Sequence, residues 1–306
     1  MNVSVIIPTL NAEKEIGGLL QSLHKQTIEL KEIIVIDSQS DDETETICRR
    51  DNKVVFIPVE RTEFDHGGTR DRAFRQSRGD FVLFLTQDAL PFDEYCIEHL
   101  LFPFQDPEIA MVSGRQIAQE QASLIEKLVR EFNYPSESHV RTKNDIPVAG
   151  IKTFFASNVC SAYRRSDYFA AGGFDSPILT NEDMLIAARF IDSGYKIAYC
   201  AEAKVIHSHH FTLKQQMVRN YNIGVFMRRN AYFFRTVPAL SEGIKMAKYV
   251  LSHLLKGKHI LLSAYFCIEC AAKLFAYRFG SFVASISSRS HKDKDRSAPP
   301  FTPPGR

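Results

Sequence analysis

The sequence offers no disulfide framework. Its cysteines, at 48, 96, 160, 200, 267 and 270, are too scattered for the paired spacings of a small secreted scaffold. A reducing compartment is therefore expected. Cys267 and Cys270 make a lone C-x-x-C, with no second pair and no thioredoxin-like strand pattern around it. Two neighbouring helix positions are favoured there over a redox or zinc site. The start, "MNVSVIIPTLN", has no basic segment ahead of a long apolar run and reads as a first strand rather than a leader. There are no internal repeats. A clean membrane span is also lacking, because the apolar stretch from Ile260 to Ile286 is broken by Glu269, Lys273 and Arg278. Those charges favour amphipathic helices lying on a membrane or packed on the domain. Net charge is small too, at +2, but it hides an asymmetry. Residues 236–306 hold 11 of the 38 Lys+Arg and 4 of the 36 Asp+Glu, a net of +7 against −5 for the rest. A basic C-terminal part implies an anionic neighbour, lipid headgroups or nucleic acid.

What is present is a chain of 306 residues, 44% hydrophobic, enough for one large or two small domains. Val3 to Ile7 is a continuous β-branched run, the mark of a strand covered on both faces. Ile16, Leu19, Leu20 and Leu23 then recur at helical spacing. "KEIIVID", "KVVFIPV" and "DFVLFL" read as further strands, "DETETICRR" as a helix between the first two, and "EQASLIEKLVREFNY" as a later one. "PSESHVRTKNDIPVAGIKT" reads as a long polar loop on the substrate side. Met184, Leu185, Ala188 and Ile191 mark a helix that stops near Gly194, before the strand "KIAYC". The alternation predicts an α/β fold with a mixed, mostly parallel sheet flanked by helices. Ligands of such sheets bind beyond the carboxyl ends of the strands, where Asn11, Asp37 and Asp88 fall.

Four stretches stand together: "VSVIIPTLNAEKEI", "IIVIDSQSDDET", "FLTQDALP" and "GGFDSPILTNEDMLIAARFIDSGYKI". In this order, over roughly residues 2 to 210, the chain resembles the family 2 glycosyltransferases of GT-A fold. "EFDHGGTRDRA" and "TQDA" look most like the bacterial rhamnosyltransferases that use dTDP-L-rhamnose. The resemblance implies a nucleotide-sugar donor and a divalent cation, Mg²⁺ or Mn²⁺, at its diphosphate. The chemistry agrees: the leaving diphosphate gathers negative charge, which a cation held by hard ligands can neutralise.

Asp88 matches the last Asp of the family's D-x-D motif; Thr86 stands at the first position, so Asp88 is the principal carboxylate, with Gln87 between. The resemblance places nucleotide contacts at Pro8, Thr9, Asn11, Glu13 and Asp37. Asp41 is either a further contact or an acidic cap at a helix start. In "DHGGTRDRA", Gly67 and Gly68 allow close backbone approach and Arg70 can meet phosphate oxygens; His66 can touch the donor or cap a turn. Asn158 fits the family's Asn before an Arg pair, near the donor phosphate or acceptor. Arg164 and Arg165 after it can instead be salt-bridged scaffold. The family's acidic pair falls on Glu182 and Asp183, with Asp183 as base and Glu182 orienting the acceptor. Acidic residues also favour a helix start, here after Thr180-Asn181 as cap. A His after the following strand completes the metal site in the family, so His207 is favoured and His209 is second. Tyr221, Arg228 and Arg229, in a later helix, are candidates to cover the diphosphate.

The reading that follows is a metal-dependent inverting transferase. It moves L-rhamnose from dTDP-β-L-rhamnose to a lipid-linked glycan in O-antigen-like surface polysaccharide assembly. A family 2 enzyme using a UDP- or GDP-linked sugar is the runner-up. A nucleotidyltransferase would need a Gly-rich, Lys- or Arg-bearing loop after the first strand, which "PTLNAEKEIGG" does not supply. An inactive membrane-associated scaffold is disfavoured by Asp88 and Asp183. The expected organisation is a catalytic domain over 1–235, split near 115 into donor and acceptor halves. A helical membrane-associating region over 236–288 and a disordered tail over 289–306 follow. That places the protein in the cytoplasm, peripheral on the inner face of the membrane, with lipid rather than nucleic acid as its anionic neighbour. Self-association stays open.

Overall fold

The computed structural model describes residues 2–208, 211–234, 237 and 239–291. The strands are β1 (Val3–Thr9), β2 (Glu32–Asp37), β3 (Val54–Pro58), β4 (Phe81–Leu85), β5 (Leu90–Pro91), β6 (Ile109–Ile117), β7 (His139–Arg141), β8 (Cys160–Arg164) and β9 (Lys196–Ile206). The helices are α1 (Ile16–His24), α2 (Thr44–Arg49), α3 (His66–Gln76), α4 (Cys96–Leu101), α5 (Leu124–Asn133), α6 (Ile146–Ala149), α7 (Arg165–Ala170), α8 (Glu182–Asp192), α9 (Leu213–Arg229), α10 (Ala231–Phe234), α11 (Ala239–Lys256) and α12 (Ile260–His291).

Among the described residues the strands join one sheet in the order β3-β2-β1-β4-β8-β6-β9-β5, with β7 added on β9. The first four run parallel. From β8 onward the pairing is mixed: β8 runs antiparallel to both β4 and β6, while β6 and β9 run parallel. β2 and β4 are buried throughout, as their unbroken apolar runs require when helices cover both faces. On one face Val3, Val5, Ile7, Leu83 and Leu85 join the apolar stripe of α1 and the buried side of α4. The other face meets an aromatic cluster: Phe84 lies near Phe74, Tyr163 and Phe174, and Phe74 stacks on Tyr168 at 3.6 Å. This leaves the carboxyl ends of β1, β2 and β4 free to carry polar loops.

The segment read as a long loop is more ordered than expected. It contains β7, 3₁₀ turns and α6. β7 forms because Ile197, Ala198 and Tyr199, within the "KIAYC" read from the sequence, offer it antiparallel partners; β9 itself runs on to Ile206, 11 residues in all.

The chain divides into two compact units. Met1–His210 groups with Thr236–Ser263, and Phe211–Arg235 groups with the remainder. In the first unit α11 packs on α5, with Phe132 and Tyr249 ring centroids 5.5 Å apart. In the second, α9 and α12 touch backbone to backbone. A Cβ on Gly224 would fall 2.1 Å from the Tyr277 carbonyl oxygen, and one on Gly280 equally close to that of Tyr221. Glycine at both positions permits this approach.

The apolar stretch expected to form amphipathic helices, lying on a membrane or packed on the domain, is one uninterrupted helix. Over Ile260–Ile286, 27 residues of mean hydropathy 1.5, it is long and apolar enough to cross a membrane by length and composition. The charges that argued otherwise partly cancel, because Glu269 and Lys273 form an i,i+4 ion pair. Cys267 and Cys270 are free thiols on this helix. Residues 292–306, most of the tail expected to be disordered, lie outside the described residues.

Candidate active site

The ends of β1 and β2 are tied by a carboxylate. Pro8 and Thr9 pair in register with Ile36 and Asp37. Buried Asp37 accepts from the Thr9 and Ser40 hydroxyls at 2.7 and 2.6 Å and from the Ser40 amide at 2.8 Å. Asn11 takes a positive φ of 52°. That turn lets its amide donate to Ser40 Oγ at 2.8 Å while its side-chain oxygen accepts from the Asp41 amide at 2.9 Å. The Glu13 amide donates to Asp42 at 3.0 Å. The two loops are thus one rigid rim. Asp41 keeps an exposed carboxylate, paired with Arg61 at 2.9 Å. It does not cap a helix: the neighbouring Asp42 receives the Thr44 amide at the start of α2.

Beyond β4, Gln87 accepts from the Leu10 amide at 2.9 Å, fixing the first loop to the end of that strand. Asp88 follows. Its Oδ2 lies 3.3 Å from His207 Nε2; the ring is 2% exposed and the carboxylate 26%. His207 Nδ1 is 3.0 Å from Gln116 Oε1, which also receives Arg130, and Gln116 Nε2 donates to Ser157 Oγ at 2.9 Å. A partner on the far ring nitrogen fixes the orientation of a ligating imidazole. The carboxylate and imidazole can supply two hard or borderline ligands to a divalent cation, leaving the other positions to water and phosphate oxygens. Among the described residues no group of three or more His, Cys, Asp or Glu side chains is placed to hold a metal. His209 lies outside the described residues.

The acidic pair opens α8. Asn181 precedes it with a φ of 61° and no side-chain capping bond, so the expected Thr180-Asn181 cap is made by backbone turn alone. Glu182 is 6% exposed. It accepts from Asn158 Nδ2 at 3.0 Å and lies 3.4 Å from Arg70 Nη1. Burial alone would raise its pKa, but Arg70, His66 and the Asn158 amide together hold it below the usual value. Asp183 accepts from the Asn158 backbone amide at 3.0 Å and from the Met184 amide at 2.8 Å. Burial, then the neighbouring Glu182 charge, pushes its pKa up to about 7.

Three consecutive residues join these parts. Ser157 reaches the Asp88–His207 pair through Gln116, Asn158 holds both carboxylates of the acidic pair, and the Val159 carbonyl accepts from the Thr86 amide at 3.3 Å. Asn158 Oδ1 is itself fixed by the Ser161 and Tyr163 hydroxyls at 2.8 and 2.7 Å.

Arg70 lies behind Glu182. The close approach that glycine permits at 67 and 68 is to the chain itself: a Cβ on Gly67 would sit 2.0 Å from the Asp175 carbonyl oxygen. Asp65 caps α3 and also receives the Ser176 hydroxyl and the Ile178 amide at 2.9 and 3.0 Å. His66 stands edge-on to Phe64 and 3.1 Å from Arg70 Nη1. Arg164 and Arg165 are scaffold, the first paired with Asp167 at 3.1 Å, the second bonded to Ser77 at 2.8 Å. Tyr221, Arg228 and Arg229 belong to α9, in the second unit. Sequence reasoning missed Gln116, Ser157 and Asp65. Of these only Asp65 carried a local signal, an N-cap residue ahead of a helix.

A family model described as glycosyl transferase family 2 matches residues 4–169. The chain belongs to glycosyl transferase family 2, and its mixed sheet flanked by helices is the GT-A arrangement. It is similar to the O-antigen chain rhamnosyltransferase WbaN of Salmonella anatum, 39% identical over 92% of this chain and 90% of that protein. To the O-antigen chain rhamnosyltransferase RfbN of Salmonella typhimurium it is 38% identical, over 94% and 91%. Among solved structures, mannosyltransferase PcManGT of Pyrobaculum calidifontis, in complex with GDP-Man and Mn²⁺, aligns with a TM-score of 0.60. Identity there is 16%, over 96% of this chain and 88% of that one. TarS 1-349 of S. aureus aligns with a TM-score of 0.53 at 18% identity, over 94% and 92%. At such identities these two speak to the fold alone.

Proposed function

We propose that this glycosyltransferase moves L-rhamnose from dTDP-β-L-rhamnose to a lipid-linked glycan during O-antigen synthesis, with inversion at the anomeric carbon. The substrate class is supported by similarity, along nine-tenths of both chains, to two proteins named as O-antigen chain rhamnosyltransferases. The mechanism is supported by one observation, the 157–159 junction that ties the acidic pair to the Asp88–His207 pair. Asp183 takes the proton from the acceptor hydroxyl as that oxygen attacks the anomeric carbon. The new C–O bond forms as the bond to the diphosphate oxygen breaks, and the electron pair leaves with dTDP. A base whose pKa lies near the working pH suits this task. Glu182 orients Asp183 and the acceptor. Asp88 and His207 would hold Mg²⁺ or Mn²⁺, which when bound offsets charge on the diphosphate. The rim of Pro8, Thr9, Asn11, Glu13, Asp37 and Asp41 holds the base and ribose, with Gln87 setting the first loop.

A lipid-linked acceptor puts the enzyme at the cytoplasmic face of the membrane, docked through the apolar, basic C-terminal helices. Asp183→Asn is expected to lower kcat by about 10²- to 10⁴-fold while dTDP-rhamnose still binds. Full transfer by that variant, measured as dTDP release, would overturn the base assignment.

A further inference from the structure

Arg70 sits in "HGGTR", a stretch that suggests a hand on the donor's phosphates, yet its side chain is 7% exposed and faces inward. Nη1 donates to the His66 carbonyl at 3.1 Å and lies 3.4 Å from Glu182 Oε1. Its Nε has no hydrogen-bond partner among the described residues. Glu182 is as deeply buried and points its carboxylate at Arg70 and Asn158. An ionised carboxylate at such depth is costly unless a cation and hydrogen bonds accompany it. Four groups face the acidic pair. From α3 come the Arg70 guanidinium and the His66 ring. The Asn158 amide precedes β8, and from β8 comes the Tyr163 hydroxyl, whose own ionisation burial pushes far up. Arg70 is the permanent cation among them.

We propose that Arg70 is a positioning residue acting through Glu182: its buried guanidinium keeps the Glu182 carboxylate charged and fixed beside Asp183, and it makes no contact with the donor's diphosphate. The inference rests on the reading of Asp183 as the base. It follows that Glu182 and Asp183 titrate as a coupled pair beside a fixed cation. Without the guanidinium, two buried carboxylates face each other with no permanent cation, and the pair takes up a proton at higher pH. Without the Glu182 charge, one of the two causes that raise Asp183 is gone, and its proton leaves at lower pH. A base must be unprotonated, so transfer is expected to fail as pH falls through the Asp183 pKa, which burial and Glu182 push up to about 7; this is the acid limb of the kcat profile.

The test is kcat and donor KM against pH for Arg70→Met, Arg70→Lys, Glu182→Gln and the Arg70→Met/Glu182→Gln pair, with thermal unfolding run on each. Arg70→Met is expected to raise the acid limb by about one unit, lowering kcat at pH 7 roughly fivefold with recovery at pH 9 and donor KM within about twofold. Glu182→Gln moves the limb down, Arg70→Lys leaves it in place, and the double variant brings it back toward the starting position. A tenfold or larger rise in donor KM with an unmoved limb would overturn the proposal in favour of a diphosphate contact. So would a double variant whose limb stays where Arg70→Met put it. Should Arg70→Met not fold, an unmoved limb in Glu182→Gln overturns it on its own. Failure of the underlying reading looks different: Asp183→Asn then keeps its activity, whatever Arg70 does.

Discussion

The cation site proposed above has two protein ligands, Asp88 and His207, where three or more are common. Thr86 stands where a second carboxylate would be, and its hydroxyl has no hydrogen-bond partner among the described residues. A cation held by one carboxylate and one imidazole leans on the donor's phosphate oxygens, so it should bind weakly without the nucleotide and firmly with it. Excess EDTA is expected to abolish transfer and added Mn²⁺ or Mg²⁺ to restore it. Asp88→Asn should raise the metal concentration needed for half activity by about 10-fold or more. Transfer that runs unchanged in EDTA would remove the metal role from this pair. The residues legible in the sequence were those that act where they stand. Asp37 and Asp88 end apolar runs, and Glu182-Asp183 begin a helical one. Gln116 and Ser157 act across the sheet through β6 and the lead into β8, and no local pattern announces a partner 41 or 91 positions away.

The elements that matter most are α3 and the loop from Phe174 to Asn181. Asp65 pins them together, and Gly67 lets them meet. Asp65 is held below the usual carboxylate range: burial opposes this, but the Gly68, Ile178 and Gly67 amides and the Ser176 hydroxyl prevail. A depressed folded pKa means that this stabilisation is present above the unfolded value and is lost as pH falls through the folded one. Gly67→Ala would drive a methyl group onto the Asp175 carbonyl and Ile178 Cγ2, at 2.0 and 2.2 Å. It is expected to cost about 1–3 kcal/mol, read from the urea midpoint, and to lower kcat because the displaced loop leads into Glu182. An unchanged midpoint and kcat would show that the loop does not need this approach. The parallel strands were plain in the sequence because their apolar runs are unbroken. β7 was not, since three residues, His139, Val140 and Arg141, gain strand form only from β9.

At the scale of the whole molecule, the charge asymmetry and the apolar C-terminal stretch were legible, but their packing was not. The division into units depends on glycine contacts between helices far apart in sequence and on α11 returning to α5. On α12, Tyr265, Ile268, Phe275, Phe279, Phe282 and Ile286 are exposed at steps of three, four and seven residues, one face of a helix. Among the charged residues of α9, all four are cations: Lys214, Arg219, Arg228 and Arg229. An aromatic stripe with basic neighbours suits an anionic lipid surface. Flotation with vesicles containing an anionic lipid is expected to carry the protein. Phe275→Ser/Phe279→Ser/Phe282→Ser should leave most of it behind, and an unshifted triple variant would defeat the docking role.

The sugar transferred decides between a rhamnosyltransferase and a family 2 enzyme using a UDP- or GDP-linked donor. The most direct measurement incubates the purified enzyme and a lipid-linked glycan acceptor with dTDP-L-rhamnose, UDP-linked and GDP-linked sugars in parallel. Nucleoside diphosphate release and the mass of the acceptor are then followed. The expected result is dTDP release with an acceptor heavier by one deoxyhexose, seen with dTDP-L-rhamnose alone. An acceptor elongated from a UDP- or GDP-linked sugar, with dTDP-L-rhamnose left intact, would contradict it.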